Sequence, residues 1–155
     1  PNLPNQRSIY LYPSICFFEG TVISVGRGTD MPFQVIGHPD IHHSNIDFTP
    51  QPNQGAKHPK LEGVLCHGTD LRLNELAEIR GQKKLDLSLI LSYYTFLNQG
   101  DDFFLANHFI DKLAGSDQLR KQIQQGLTEE EIRASWQTDL DNYRLTRKKY
   151  LLYKD

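Results

Sequence analysis

The stretch EGTVISVGRGTDMPF, Glu19 to Phe33, sets a carboxylate directly after Cys16-Phe17-Phe18 and, eight residues on, an arginine between two glycines. A carboxyl beside two phenylalanines loses hydration, the condition under which it serves as a general acid, unless Arg27 offsets the loss. Gly26 and Gly28 permit backbone angles closed to other residues and allow close approach of another group. A guanidinium presented there can grip a carboxylate with two parallel hydrogen bonds. Two readings follow. Arg27 pairs with Glu19 and fixes a tight turn, or Arg27, Thr29 and nearby amides line a pocket for a polar ligand. Neither GxxxxGK[ST] nor GxGxxG is present, so the glycines do not form a known phosphate cradle.

Other reactive groups are less suggestive. Glycoside hydrolysis usually employs two carboxyl groups flanking the scissile bond. No second acid in the first half matches Glu19: Glu62 and Asp70 bracket an expected strand, while Glu75, Glu78 and Glu129 to Glu131 read as solvated helix faces. His38, Asp40, His42, His43, Asp47 and His58 crowd one loop-rich stretch but lack the HxxxH or CxxC spacing of zinc sites. No metal or cofactor is expected. Cys66 and His67, adjacent on a strand, point to opposite faces and do not make a nucleophile pair. Trp136, Tyr93, Tyr94 and Phe96 read as packing, and RLTRKKY as a solvated helix face.

The elements that must hold these residues fall into two halves. From Pro1 to about Asp70, Pro and Gly recur among β-branched residues (TVISV, FQVIG, EGVLCHGTDL), which predicts short strands and ordered loops. Residues 45–60 read as a surface loop turning at Asn53-Gln54-Gly55. SIYLYPSICFF fits either a helix broken near Pro13 or an extended run. After Leu71 the pattern is helical. LDLSLILSYYTFLNQG is expected to stop at Gly100, FLANHFIDKLAG at Gly115, and SDQLRKQIQQG to run from Ser116 to Gly126. Thr128 and Glu131 form a capping box, and Leu140, Tyr143, Arg147 and Tyr150 share one helix face. The expected fold is α+β, an irregular β-rich first half packed against four or five helices.

With 155 residues the chain is most simply one domain, 1–155. Net charge is −2 and the isoelectric point about 6.3. That argues against nucleic acid, whose partners are usually clearly basic. No apolar run approaches the ~20 residues of a membrane-spanning helix. Cys16 and Cys66 allow at most one disulfide, which the sequence leaves open. PNLPNQRS carries neither a starting Met nor a signal peptide, so the chain reads as a continuation of something longer.

Several ordered motifs also resemble one family: PNLP, YPSICFFEGTVISVGRGTDMPFQVIG, EGVLCHG, KLAGSDQLRKQIQQG and RKKYLLY. They are similar, essentially from Pro1 to Asp155, to the second half of bacterial exo-acting β-N-acetylmuramidases, once catalogued only as a domain of unknown function. The resemblance implies a C-terminal domain whose partner, an N-terminal Rossmann-like domain bearing the main catalytic acid, is absent from this chain. It implies a substrate cleft between the two, N-acetylmuramic acid-containing peptidoglycan fragments as ligands, and a periplasmic or extracellular location. Carried over residue by residue, the cleft motif is Glu19, Thr21, Arg27, Gly28, Thr29 and Phe33, with Glu19 a candidate second carboxylate. The lactyl carboxylate of the sugar is a sensible partner for Arg27. The family commonly shows a small residue, proline and an aromatic after PF. Here the stretch is Gly37-His38-Pro39-Asp40, an acid where a stacking ring would stand. The expected function is a cleft-forming domain of such a hydrolase, the isolated chain having little turnover. The alternative is a non-catalytic carbohydrate-binding or structural module.

Overall fold

The computed structural model describes residues 3–153, so the first two residues of PNLP and the last two of the chain lie outside it. The undecided segment SIYLYPSICFF is helical. Helix α1, Gln6–Ile15, is started by Asn5, whose side chain accepts from the Ser8 amide while the Ser8 hydroxyl receives the Asn5 N–H. Pro13 lies inside it and offers no N–H to the carbonyl one turn back. The chain tightens three residues later into a 3₁₀ turn, Cys16–Gly20.

Three strands follow: β1 (Val35–His38), β2 (Ile46–Phe48) and β3 (Cys66–Asp70). They form one antiparallel sheet in the order β1-β3-β2. Gly37 faces Gly68 in the β1–β3 register, and an alanine carbon at Gly68 would stand 1.9 Å from the Ile36 carbonyl oxygen. This backbone contact is what brings the two strands together. TVISV, expected as a strand, makes only isolated bridges, Thr21 with Phe104 and Ser24 with Gly37. Residues 46–48, expected to be loop, are β2. Its three residues are too few for alternation to register, and its pairing with β3 comes from far along the chain.

The second half contains α2 (Leu76–Gln82), α3 (Ser88–Leu97), α4 (Phe109–Ala114), α5 (Gln118–Gln124) and α6 (Glu129–Arg147). The architecture is α+β, with the strands in the first half. Helix α3 stops at Asn98 rather than Gly100, because Asn98 itself takes the left-handed conformation and its N–H bonds the Tyr94 carbonyl. Asp117, not Ser116, precedes α5. Phe96, expected in the core, is exposed, at the margin of the buried face, its ring 6.4 Å from that of buried Tyr93 one turn earlier. The main core joins Ile15, Phe18, Phe33, Ile36, Phe103 and Ile110, among others, so α1, the 3₁₀ turn, one face of β1 and the helices share an interior, while Val35, Phe48 and Cys66 of the three strands form a second, smaller cluster.

The capping box of α6 forms as its spacing predicts: the Thr128 hydroxyl receives the Glu131 N–H, and the Glu131 carboxylate receives the Thr128 N–H at 2.8 Å. Thr128→Ala is expected to cost about 1 kcal/mol, read as a lowered midpoint in urea at unchanged slope. An unchanged midpoint would show that packing of Ile132 alone fixes where the helix starts.

Candidate functional site

The loop Val25–Phe33 is closed by its own backbone. The Thr29 N–H reaches Gly26 O at 3.1 Å, and the Phe33 N–H reaches Val25 O at 2.7 Å. The Thr29 hydroxyl donates to Gly26 O and accepts from the Met31 amide. Gly26 and Gly28 both have positive φ. At Gly28 an added carbon would also meet Gln51 O at 2.7 Å and the Pro59 ring at 2.7 Å. The loop therefore presses against the 51–59 segment, to which it is tied by the Gln51 amide donating to Gly28 O at 2.8 Å.

That fold turns the Arg27 side chain back onto the 3₁₀ turn. Its Nη2 stands 2.9 Å from Glu19 Oε1, with Glu19 the more buried partner. The guanidinium carbon also lies 5.2 Å from the centre of the Phe33 ring, a cation–π stack. Phe33 is fully buried, meets Tyr12 edge-on at 5.1 Å, and holds φ at +59°. A bulky residue in that region carries strain on the order of 1 kcal/mol. The closing hydrogen bond at Val25 and the ring's two aromatic and cationic contacts hold it there.

Lys60 is the member of this cluster that sequence reasoning missed. Its ammonium is buried and donates to the carbonyls of Phe18 (3.0 Å), Ile23 (2.9 Å) and Thr21. Those three oxygens belong to the segment that carries Glu19, so one cation from 40 residues away ties that segment down. Burial lowers the Lys60 pKa to about 8, with Glu19 opposing and Arg27 adding to the shift.

On the solvent side of Arg27 is an open groove of about 600 Å³. Arg27, Gly28, Thr29 and Asp30 line one wall; Asn53, Gln54 and Gly55 line the other. A second cavity of about 510 Å³ continues past Gly28 to Asp30 toward Thr49, Gln51 and Arg72. The outer wall is a self-bonded turn. Asn53 and Ala56 exchange backbone hydrogen bonds, and the Asn53 side chain receives the amides of Gly55 and Ala56.

Of the six residues singled out in the sequence, Arg27, Gly28 and Thr29 line the groove. Glu19 and Phe33 lie behind Arg27, holding it. Thr21 is fully buried, its hydroxyl donating to Phe18 O and receiving the Ile23 amide. Arg27 thus pairs with Glu19, as the first sequence reading expects, and it also lines a cavity. Among the described residues no three of His, Cys, Asp and Glu converge as a metal site would require. Cys16 and Cys66 are free thiols, each pushed up to about 11 chiefly by burial. Asp40 lies at the rim of β1, its carboxylate 3.6 Å from the ring of buried His38.

Residues 10–153 match the sequence profile of the family described as exo-β-N-acetylmuramidase NamZ, C-terminal. The chain belongs to the NamZ C-terminal family. It is 34% identical, over 99% of its length, to the peptidoglycan β-N-acetylmuramidase NamZ of Bacillus subtilis (strain 168), of which it covers 39%. A crystal structure of a DUF1343 family protein from Bacteroides fragilis NCTC 9343 superposes with a TM-score of 0.92 at 47% identity, over 100% of this chain and 43% of that one. A second DUF1343 protein from the same organism, at 20% identity and a TM-score of 0.66, shares the fold over 99% of this chain and 44% of its own. The NamZ C-terminal chain thus spans about two fifths of the length of these relatives. Among its described residues no helix is long and apolar enough to cross a membrane.

Proposed function

We propose that this NamZ C-terminal chain forms one wall of the cleft of an exo-acting β-N-acetylmuramidase, which releases terminal N-acetylmuramic acid from peptidoglycan fragments. The single observation that carries the reading is Arg27, held by Glu19 and Phe33 yet lining an open groove. N-acetylmuramic acid differs from N-acetylglucosamine by its lactyl ether, which bears a carboxylate. A guanidinium fixed on one side by a carboxylate and a ring loses little freedom on gripping a second carboxylate. The backbone amides and Thr29 beside it offer further polar contacts. The main acid of the hydrolysis lies on the length that the relatives carry beyond this stretch, so this chain alone binds but does not turn over. Such a substrate places the reaction in the periplasm or outside the cell.

The test is calorimetric titration of N-acetylmuramic acid and, beside it, N-acetylglucosamine. Arg27→Ala is expected to weaken binding of the acidic sugar by about 10- to 100-fold, the worth of one charge-assisted contact, and to leave the neutral sugar unaffected. Equal loss for both sugars would reject the carboxylate role. A chromogenic N-acetylmuramide supplies the second arm. Robust release by the 155-residue chain alone would reject the assignment of the acid to the remaining length.

A further inference from the structure

The second half of α6 stands out from the core. Helix α6 begins in the core, with Ile132 fully buried and Trp136 packed against the main cluster. From Gln137 to Tyr150 every residue is exposed. Within and just beyond this span lie Leu140 (41% exposed), Tyr143 (63%), Leu145 (69%), Tyr150 (78%), Leu152 (92%) and Tyr153 (85%). Surfaces of single proteins seldom gather so many large apolar side chains without a use. The contacts seen along the helix there are local, Gln137 and Arg144 each with Asp141, and the Thr146 hydroxyl with the Asn142 carbonyl. Contacts of this kind contribute tenths of a kcal/mol, too little to hold a free-standing helical stretch of this length in water.

We propose that residues 137–153 are a docking surface for the polypeptide that NamZ relatives carry beyond the stretch matched here. Length argues for that occupant. The chain covers 39% and 43% of two relatives, so each carries more than as much again elsewhere, while the family match runs to residue 153 and includes the exposed segment. Charge argues for its chemistry. The segment holds Arg144, Arg147, Lys148 and Lys149 against Asp139 and Asp141, a surplus of two positive charges on a chain whose net charge is −2. The matching surface is an apolar channel with an acidic rim. Tyr143 on α6 and Tyr150 in the 3₁₀ turn that follows it, both exposed, are the anchors, since aromatic side chains carry most of the energy at such contacts. This inference does not depend on which sugar the groove binds.

The experiment is hydrogen exchange by mass spectrometry on the full polypeptide encoded by the gene, wild type and Leu140→Asp/Tyr143→Asp. In wild type, amides of 137–150 are expected to exchange at least 10-fold more slowly than in the 155-residue chain. The double variant restores fast exchange there and leaves the amides of β3 and α3 protected. Fast exchange in the wild-type full polypeptide overturns the proposal, as does a reading frame encoding no more than these residues. Protection that depends on protein concentration, with a dimer by light scattering, assigns the surface to a second copy and also overturns it. Sugar titration of the double variant separates this outcome from failure of the groove reading.

Discussion

Gly68→Ala is expected to remove about 3 kcal/mol or more of stability, the upper end of what overpacking costs. The new methyl group would meet backbone on both near approaches, Ile36 O at 1.9 Å and Gly37 Cα at 2.7 Å. Neither can swing aside as a side-chain tip would. Relief requires β1 to part from β3, the central strand, and β1 also bridges Ser24 through two hydrogen bonds at Gly37. The damage therefore reaches the segment between Glu19 and Arg27. For a chain of this size the melting temperature should fall by roughly 6–12 °C. Gly81→Ala is the control: in α2, with open space around it and no positive φ, it should stabilise by about 0.5–1 kcal/mol. Equal behaviour of the two variants would refute the argument from close approach.

Lys60→Met is the second large effect. Methionine fills similar space but leaves the Phe18, Thr21 and Ile23 carbonyls without their shared donor. Net hydrogen bonds to a charged group contribute about 1.5–3 kcal/mol, and buried acceptors left without one cost a comparable amount. Removing an ammonium from a buried site returns part of this, so a net loss of about 2 kcal/mol is expected. A pH series distinguishes this mechanism from simple loss of packing. The folded-state pKa, about 8, lies below the ordinary lysine value of 10.5. Between those two values the unfolded chain holds a proton that the folded chain has released. Wild-type stability contributed by this group therefore rises with pH across that window. Lys60→Met should lack that rise, seen as the difference between the two proteins' melting temperatures from pH 7 to 10.5. Parallel curves would mean that Lys60 titrates normally and that its burial has no electrostatic cost.

What the sequence disclosed was local. Thr128 and Glu131 satisfy each other across three residues, so their capping box was readable from spacing alone. Glu19 and Arg27 are eight residues apart with a glycine turn between, and opposite charges brought back by a turn have few other places to go. Gly115 and Gly126 ended their helices for the same short-range reason. The failures share the opposite property. Lys60 acts on backbone carbonyls 37 to 42 residues away, and a carbonyl has no residue type to betray it. Strand β2 exists because β3 lies beside it. Phe33 adopts a glycine-like backbone because Arg27 and Tyr12 both need its ring, which no propensity scale encodes. Phe96 sits one turn from Tyr93 on a helix apolar nearly all round, so periodicity could not say which face would stay wet. The family resemblance, by contrast, drew on the whole string and identified what the separate residues left open.

The groove's two walls differ in what holds them, and this bears on how such a protein can change. Arg27 to Asp30 are fastened to the interior through Phe33, Glu19, Lys60 and Val25, so almost any alteration there disturbs the core as well. Asn53 to Ala56 are fastened chiefly to themselves, by an exposed turn whose hydrogen bonds close within four residues. Mutations at Gln54, or insertions at the turn's tip, reshape the opening with little effect on folding. Under the function proposed above, selection on ligand range would act through one wall while the other stays fixed, and directed evolution of this groove would begin at residues 53–56.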